Sequence, residues 1–440
     1  MDYKVIDYTE KYGSIMQFGK NKKVYIHRWY PFVEGYSKEF IQKIIDEYKT
    51  RYKCDNITCL EPFAGSGTTP LELQRMGYRC YSFEVSPFMY DLGCSKLDVS
   101  YTVHTFDKYY TQMIDGLKNE HDYEEVLILS QFKTLVEHDG IDKWILNREV
   151  RLGILDILSE IAAFTSNRYR RLYKVALASI LLEVSNVYRN GKCVSYKKKW
   201  SENIKYTRQD IHKIYLNRLK EIFRVDIMRM QKEKKQKKIV SNLDICFCGD
   251  SRKLIFEKVR NNSIDLVITS PPYLNSRDYT DTYMVELKVL GYMSSLTELK
   301  NLRKKTLRSH VQIKWGELET LNITELENVL DRIAEYKDKF WNDDLLNMIK
   351  GYFSDIDTMF RGLKQKMSQN GMIFFNVANS SYYNVEVKVD EIVCKIAENN
   401  GFIVEEIREA RRINTSSQQK EIANGLRESV IVIHNGFKRN

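Results

Sequence analysis

Proline is scarce in this chain, with 6 residues in 440, and glycine is held to 20. No low-complexity tract appears beyond the Lys-rich "QKEKKQKK", and no repeat of solenoid period is present. No apolar run approaches the length needed to span a bilayer. The opening "MDYKVIDYTEKYGS" mixes both charge signs with aromatics, which fits neither a secretory signal nor a transit peptide, so a soluble, cytoplasmic protein without a membrane partner is expected. The 8 cysteines are scattered, and the one close pair, Cys246 and Cys248, has CxC spacing inside an apolar run. In a strand the two point to one face as half-buried small hydrophobes. No second Cys/His pair with ligand spacing stands among the 7 histidines, so a metal site is not expected.

What the chain does have is positive charge, unevenly spread. Lys and Arg total 69 against 59 Asp and Glu, a net charge of +10. From Arg189 to Lys238 the sequence is heavily basic with interleaved Tyr, Trp and Phe. Such a stretch suits a polyanion, and equally a solvated helix face.

Short apolar runs flanked by turn residues recur at wide intervals: "NITCLEPF", "YRCYSFEV", "DICFCGD", "IDLVITS", "GMIFFNVA", "GFIVEEI" and "SVIVIHN". Near the N-terminus they alternate with amphipathic stretches such as "TTPLELQRMG", which predicts an α/β domain with a largely parallel sheet. The last two runs lie close together and predict an antiparallel edge. About 140 residues after Ser100 lack strand patterning, too many for a loop. Their apolar residues recur at three- and four-residue spacing and predict a helical insertion. The resulting organisation is core over 1–100, a basic helical insertion over 101–242, core over 243–281, a second helical insertion over 282–350 and core over 351–440.

"LEPFAGSGTTPLELQRMG" follows the first strand and opens the first helix. Gly65 and Gly67 allow a tight turn and close approach to a ligand. Ser66, Thr68 and Thr69 offer hydroxyls, and the helix N-terminus offers free N–H groups. The phosphate-loop pattern needs a Lys where Thr68 stands, and the dinucleotide pattern needs a third Gly where Pro70 stands, so neither is met. Glu84 ends the second strand, where an acid can hold ribose hydroxyls, and Asp250 ends the third, placed to accept from an adenine amine. A nucleoside with an amino-acid tail fits all three. Either acid could instead cap the helix that follows it.

"FAGSGT", "FEVSP", "CGDSR" and "TSPPY", in that order over about 220 residues, resemble the S-adenosylmethionine-dependent DNA methyltransferases that modify an exocyclic amine. "HRWYPFVEGYSKEFI" resembles the family segment that closes over the methionine end of the cofactor, and "GMIFFNVANSSY" and "LRESVIVIHN" resemble its later strands. The resemblance implies a Rossmann-like, seven-stranded methyltransferase core carrying the helical insertions. It implies S-adenosyl-L-methionine as cofactor, held by Phe63, Ala64, Gly65, Ser66, Gly67, Thr68, Glu84 and Asp250, and double-stranded DNA as substrate. A cognate nuclease would be a separate chain.

The catalytic residues implied are Ser270, Pro271, Pro272 and Tyr273. The amine of cytosine or adenine is a poor nucleophile because its lone pair is delocalised into the ring. An acceptor on each N–H, out of the ring plane, favours the tetrahedral amine that attacks a methyl group. Ser270 Oγ and the Pro271 carbonyl can supply those acceptors, and Pro272 restricts the backbone that aims the carbonyl. Tyr273 would stack on a base flipped from the duplex, repaying roughly 1–3 kcal/mol. A sulfonium already activates the methyl group, so the chemistry needs no metal. Methylation at C5 of cytosine would need a thiolate nucleophile, typically in a Pro-Cys pair, and no Pro-Cys occurs.

In the resembled family Ser at the first position of the tetrapeptide is commoner among N4-cytosine enzymes, with N6-adenine as the alternative. An RNA amine methyltransferase and a non-catalytic nucleic-acid-binding protein are further readings. DNA reading is expected in the first insertion through Arg189, Lys192, Lys197, Lys198 and Lys199, with Arg277 as a phosphate contact beside Asn275 and Tyr279. The second insertion, with Arg303, Lys304, Lys305 and Arg308, is the competing reader.

Overall fold

The computed structural model describes the whole chain except residues 1–2, 33–34, 120–131, 133, 191–192, 203–204, 237–238, 275–277, 315, 317, 319–320, 414–424 and 437–440. The strands are β1 Val5–Asp7, β2 Thr58–Glu61, β3 Arg79–Glu84, β4 Val187–Asn190, β5 Cys193–Tyr196, β6 Cys246–Cys248, β7 Ile264–Thr269, β8 Met367–Ala378, β9 Ser380–Tyr382, β10 Val385–Val387, β11 Ile403–Ile413 and β12 Leu426–His434. Eight of them form one sheet in the order β1-β11-β12-β8-β7-β2-β3-β6. Only β12 runs against its neighbours, between β8 and β11. The architecture is the mostly parallel, Rossmann-like one expected, with one more strand than seven. The extra strand, β1, adds three residues in parallel outside β11, so the antiparallel pair lies one strand in from the edge.

Alternation along the strands explains the apolar runs. Val267, Ile373, Phe375, Val377, Ile431 and Ile433 face one core cluster, with the helices Leu345–Lys366 and Val389–Asn399. Their neighbours Leu266, Ile268, Met372, Phe374, Val430 and Val432 face another, with the helix Lys38–Tyr52. Both faces are covered, so central strands need no polar side.

The first insertion supplies the helices Val103–Gly116, Arg148–Ala163 and Asn167–Val184, and then Arg208–Arg218, which continues through a π turn into Val225–Gln236. It is not wholly helical, because β4 and β5 form an antiparallel hairpin. Its helices share one apolar cluster with Trp29, Tyr30, Phe88 and Leu92, so it packs into the catalytic domain. A short helix Tyr279–Thr282 closes the core segment, and in the second insertion Met284–Val289, Leu296–Arg303 and Thr324–Ala334 precede Leu345–Lys366. Of the CxC pair, Cys246 is buried against Cys94 and Cys248 is exposed at the strand end, which overturns the expectation of two half-buried residues.

Candidate active site

Parallel strands β2, β3, β6 and β7 all deliver polar residues to the same edge of the sheet: Glu61, Glu84, Asp250 just past β6, and Ser270 just past β7. The sheet order reverses between β2 and β7, and crevices for ligands form at such a point. A cavity of about 840 Å³ opens there. Its walls include Phe63, Ala64, Gly65, Ser66, Thr68, Glu84, Asp250, Ser270, Pro271, Pro272 and Tyr273. Residues far apart in sequence thus line one cavity, and Gly67 stands just behind, as the N-cap of the helix Thr68–Met76.

The glycine loop requires both its glycines. Gly65 has φ +51°, and a Cβ there would lie 3.0 Å from the Phe32 ring. Gly67 has φ +77°, and a Cβ would lie 3.0 Å from the Gly93 backbone. Half-buried Glu84 and fully buried Lys96 and Glu61 clamp the loop. Glu84 accepts from Gly65 N–H at 2.8 Å and Ser86 N–H at 2.7 Å, and burial pushes its carboxyl up to about 7. Lys96 Nζ donates to the Ser66 carbonyl at 2.7 Å, and burial brings its ammonium down to about 7. Glu61 accepts from Thr269 Oγ1 at 2.6 Å, Tyr36 Oη at 2.8 Å, and Thr69 Oγ1 and Phe63 N–H at 3.0 Å, and burial raises it to about 7. This hub joins the glycine loop to the end of β7 and to the N-terminal segment bearing Tyr36.

Asp250 does cap its helix: its carboxylate accepts from Arg252 N–H at 3.0 Å and pairs with the Arg252 guanidinium at 2.8 and 2.9 Å. A carboxylate has about four lone-pair sites, so capacity for a ligand amine remains.

At the other end of the cavity the tetrapeptide meets β8, β11 and β12. Tyr273 Oη donates to Glu428 Oε1 at 2.7 Å and accepts from Asn376 Nδ2 at 2.6 Å. Ser270 Oγ donates weakly to Tyr273 Oη at 3.4 Å. Glu428 also pairs with Arg411. Asn376, Arg411 and Glu428 line the cavity, as does Glu61, and sequence reasoning singled out none of them. Among the described residues nothing donates to the Pro271 carbonyl.

The nominated cations divide sharply. Arg189 is not a surface cation: its side chain is 4% exposed, pairs with Glu286 at 2.8 Å and sits over the Tyr283 ring on the cavity wall. Lys197 turns inward too, donating to the carbonyls of Glu183 at 2.8 Å and Ser185 at 2.6 Å. Both side chains are thus bonded within the protein, Arg189 buried and Lys197 half-buried, rather than standing free for a phosphate. Arg303 and Arg308 are likewise spent on Asp278, Asp281 and Asp355. Lys198, Lys199, Lys304 and Lys305 are exposed. Lys192, Asn275 and Arg277 lie outside the described residues.

No family model matches the chain. It is similar to the Type II methyltransferase M.BsoBI of Geobacillus stearothermophilus, with 27% identity over 97% of this chain and 89% of that protein. It is also similar to the Type II methyltransferase M.AvaI of Nostoc sp., with 25% identity over 90% of this chain and 82% of that one. A third relative is the Type II methyltransferase M.MvaI of Kocuria varians, with 23% identity over 86% of this chain and 82% of its own length. The resemblance drawn from the motifs is matched by relatives that run nearly the whole length of the chain.

Proposed function

We propose that this relative of the Type II methyltransferases is a site-specific DNA methyltransferase that moves a methyl group from S-adenosyl-L-methionine to the N4 amine of cytosine. On this reading it is the modification enzyme of a pair whose nuclease is a separate chain, and it works in the cytoplasm. No helix among the described residues is long and apolar enough to cross a membrane. The observation that carries the reading is the meeting, in one cavity, of the glycine loop and the Ser270 to Tyr273 turn.

The donor set suits the cofactor. The loop from Phe63 to Thr68 brings a close-approach backbone and a helix N-terminus to one end, where Cβ space at Gly65 is already closed by Phe32. Glu84 is the acid for the ribose hydroxyls and Asp250 for the adenine amine. When bound, the cofactor supplies a methyl group activated on a sulfonium.

The chain's own task is to make the amine nucleophilic and hold it in line. Ser270 gives its proton toward Tyr273 and accepts weakly from Asn376 Nδ2 at 3.4 Å, so one Oγ lone pair is left for the amine, and the Pro271 carbonyl is the second acceptor. Tyr273 is tethered at its hydroxyl, which restricts the ring without consuming its faces for stacking on the base. Ser at position 270 supports cytosine over adenine.

The test is to incubate the protein with S-adenosylmethionine and mixed-sequence duplex DNA, digest to nucleosides and identify methylated species by mass spectrometry. N4-methylcytosine is expected. N6-methyladenine would move the target to the other amine, and a blank from both DNA and RNA would leave a binding protein.

A further inference from the structure

The resemblance accounts for Ser270 to Tyr273 but not for what those residues are tied to. Glu428 is buried, with its side chain 2% exposed, near the start of a strand that is apolar from Val430 to Ile433. A buried carboxylate is costly unless its oxygens are met, and this one is met on both sides. Oε2 takes the Arg411 guanidinium, itself 31% exposed, and Oε1 takes the Tyr273 hydroxyl at 2.7 Å, with Asn376 Nδ2 at 3.3 Å. The pairing is a product of sheet topology. Because β12 runs antiparallel, its first residues lie at the edge where the parallel strands end, and Glu428 stands opposite Arg411 on one neighbour and Ala378 on the other.

The bonds have a direction. A carboxylate only accepts, so the Tyr273 proton must point at Glu428. The Tyr273 oxygen is then left to accept, from Asn376 at 2.6 Å and from Ser270 at 3.4 Å, while Asn376 Nδ2 also lies 3.4 Å from Ser270 Oγ and takes one of its lone pairs. That polarity turns the Ser270 proton away from the space where an amine would enter. A negative charge at the far end of such a chain polarises each link toward a stronger acceptor at Ser270. Were the carboxylate absent, Tyr273 could reverse its proton, and Ser270 could present a donor to an amine that needs acceptors.

We propose that Glu428 is a positioning residue for methyl transfer: through Tyr273 it fixes the direction of the hydrogen-bond chain that makes Ser270 Oγ an acceptor for the target amine. Asn376 is the second anchor of the same tyrosine, and Arg411 holds the charge in place. The proposal rests on the reading of Ser270 and Tyr273 given under the proposed function.

A double-mutant cycle tests it, with single-turnover methyl transfer to mixed-sequence duplex DNA at saturating S-adenosylmethionine and DNA, and cofactor affinity by titration calorimetry. Glu428→Gln should lower the transfer rate about 30-fold while leaving cofactor affinity within about twofold, the loss expected for a charge-assisted hydrogen bond. In a Tyr273→Phe background, where the link is already cut, the same change should cost less than about twofold. If Glu428→Gln does not fold, Glu428→Asp keeps an anion for Arg411 while drawing it off Tyr273, and the same non-additivity is expected. Equal losses in both backgrounds, or a cofactor affinity that falls with the rate, would assign Glu428 a structural role and overturn the proposal. A wild-type protein that methylates no DNA would remove the underlying function instead, so the two failures are told apart.

Discussion

The two ends of the cavity are built by different means. At the glycine loop, backbone geometry does most of the work: two left-handed glycines and a helix N-terminus arise within a few consecutive residues, and the acids Glu61 and Glu84 clamp the backbone N–H groups. At the tetrapeptide end, side chain meets side chain across long sequence distances, with Tyr273 bound to residues 103 and 155 positions away. The first end should therefore be intolerant of added atoms and sensitive to proton uptake by its acids, whereas the second should lose rate without losing its ligand.

The largest effect is expected from Gly65→Asp. Any Cβ at this position meets the Phe32 ring at 3.0 Å with φ at +51°, and the new carboxylate would stand beside the raised Glu84. Cofactor binding in a calorimeter should fall below detection. Unchanged affinity would take the loop out of the site and dissolve the contrast.

Tyr273→Ala comes next and should act in the opposite way. Stacking of roughly 1–3 kcal/mol and the anchored hydroxyl are both lost, so turnover should drop about 100-fold with cofactor affinity close to wild type. A variant with a normal rate would show that the tetrapeptide end is not where the amine sits.

A smaller and graded effect is expected from pH. Burial raises Glu84 to about 7, so below that pH the folded protein holds a proton there that the unfolded chain, with an ordinary carboxyl, gives up above about 4.5. Between about 4.5 and 7 the folded state binds more protons, and stability from this group falls as pH rises through that window. Ribose hydroxyls need the ionised acceptor, so cofactor affinity should move the other way. It should rise as pH climbs toward about 7, by up to tenfold per unit, and level off above it. Glu84→Gln should flatten that profile. A profile that survives the substitution would move the titration to Glu61 or Lys96, which burial also brings to about 7.

The same contrast explains what was legible in the sequence. The seven apolar runs are strands because both faces of the sheet are covered, which writes burial into consecutive residues. β1 is three residues with an exposed, half-buried, exposed pattern, and carries no such signature. Gly65, Gly67 and Ser270 to Tyr273 are readable because each group is contiguous in the sequence and follows directly on a strand. Glu61 and Asn376 are lone polar residues in apolar runs, Arg411 and Glu428 stand among other polar residues, and what all four do depends on partners brought close only by the fold. The signal available was the oddity itself, as in "CLEPF", where an acid ends an apolar run. Charges misled for a related reason. Arg189 and Lys197 count as cations in a composition, while in the structure they are spent on Glu286 and on helix-end carbonyls.

The smallest effect separates the spent cations from the free ones around the first insertion. Lys198 and Lys199 are exposed, with Lys199 paired only to the equally exposed Glu202 at 3.3 Å, an ion pair weak enough to yield to a phosphate. If both meet the DNA backbone, replacing them with Gln should make the plot of log affinity against log salt shallower by about two, close to 0.9 for each phosphate contact. Lys197→Met should leave that slope unchanged and lower the melting temperature instead, because its bonds to the carbonyls of Glu183 and Ser185 hold the hairpin to the helix Asn167–Val184. A slope altered by Lys197 and untouched by its neighbours would reverse the assignment. No change from any of the three would pass DNA contact to Lys304 and Lys305, the exposed pair of the second insertion, of which Lys305 also lines the cavity.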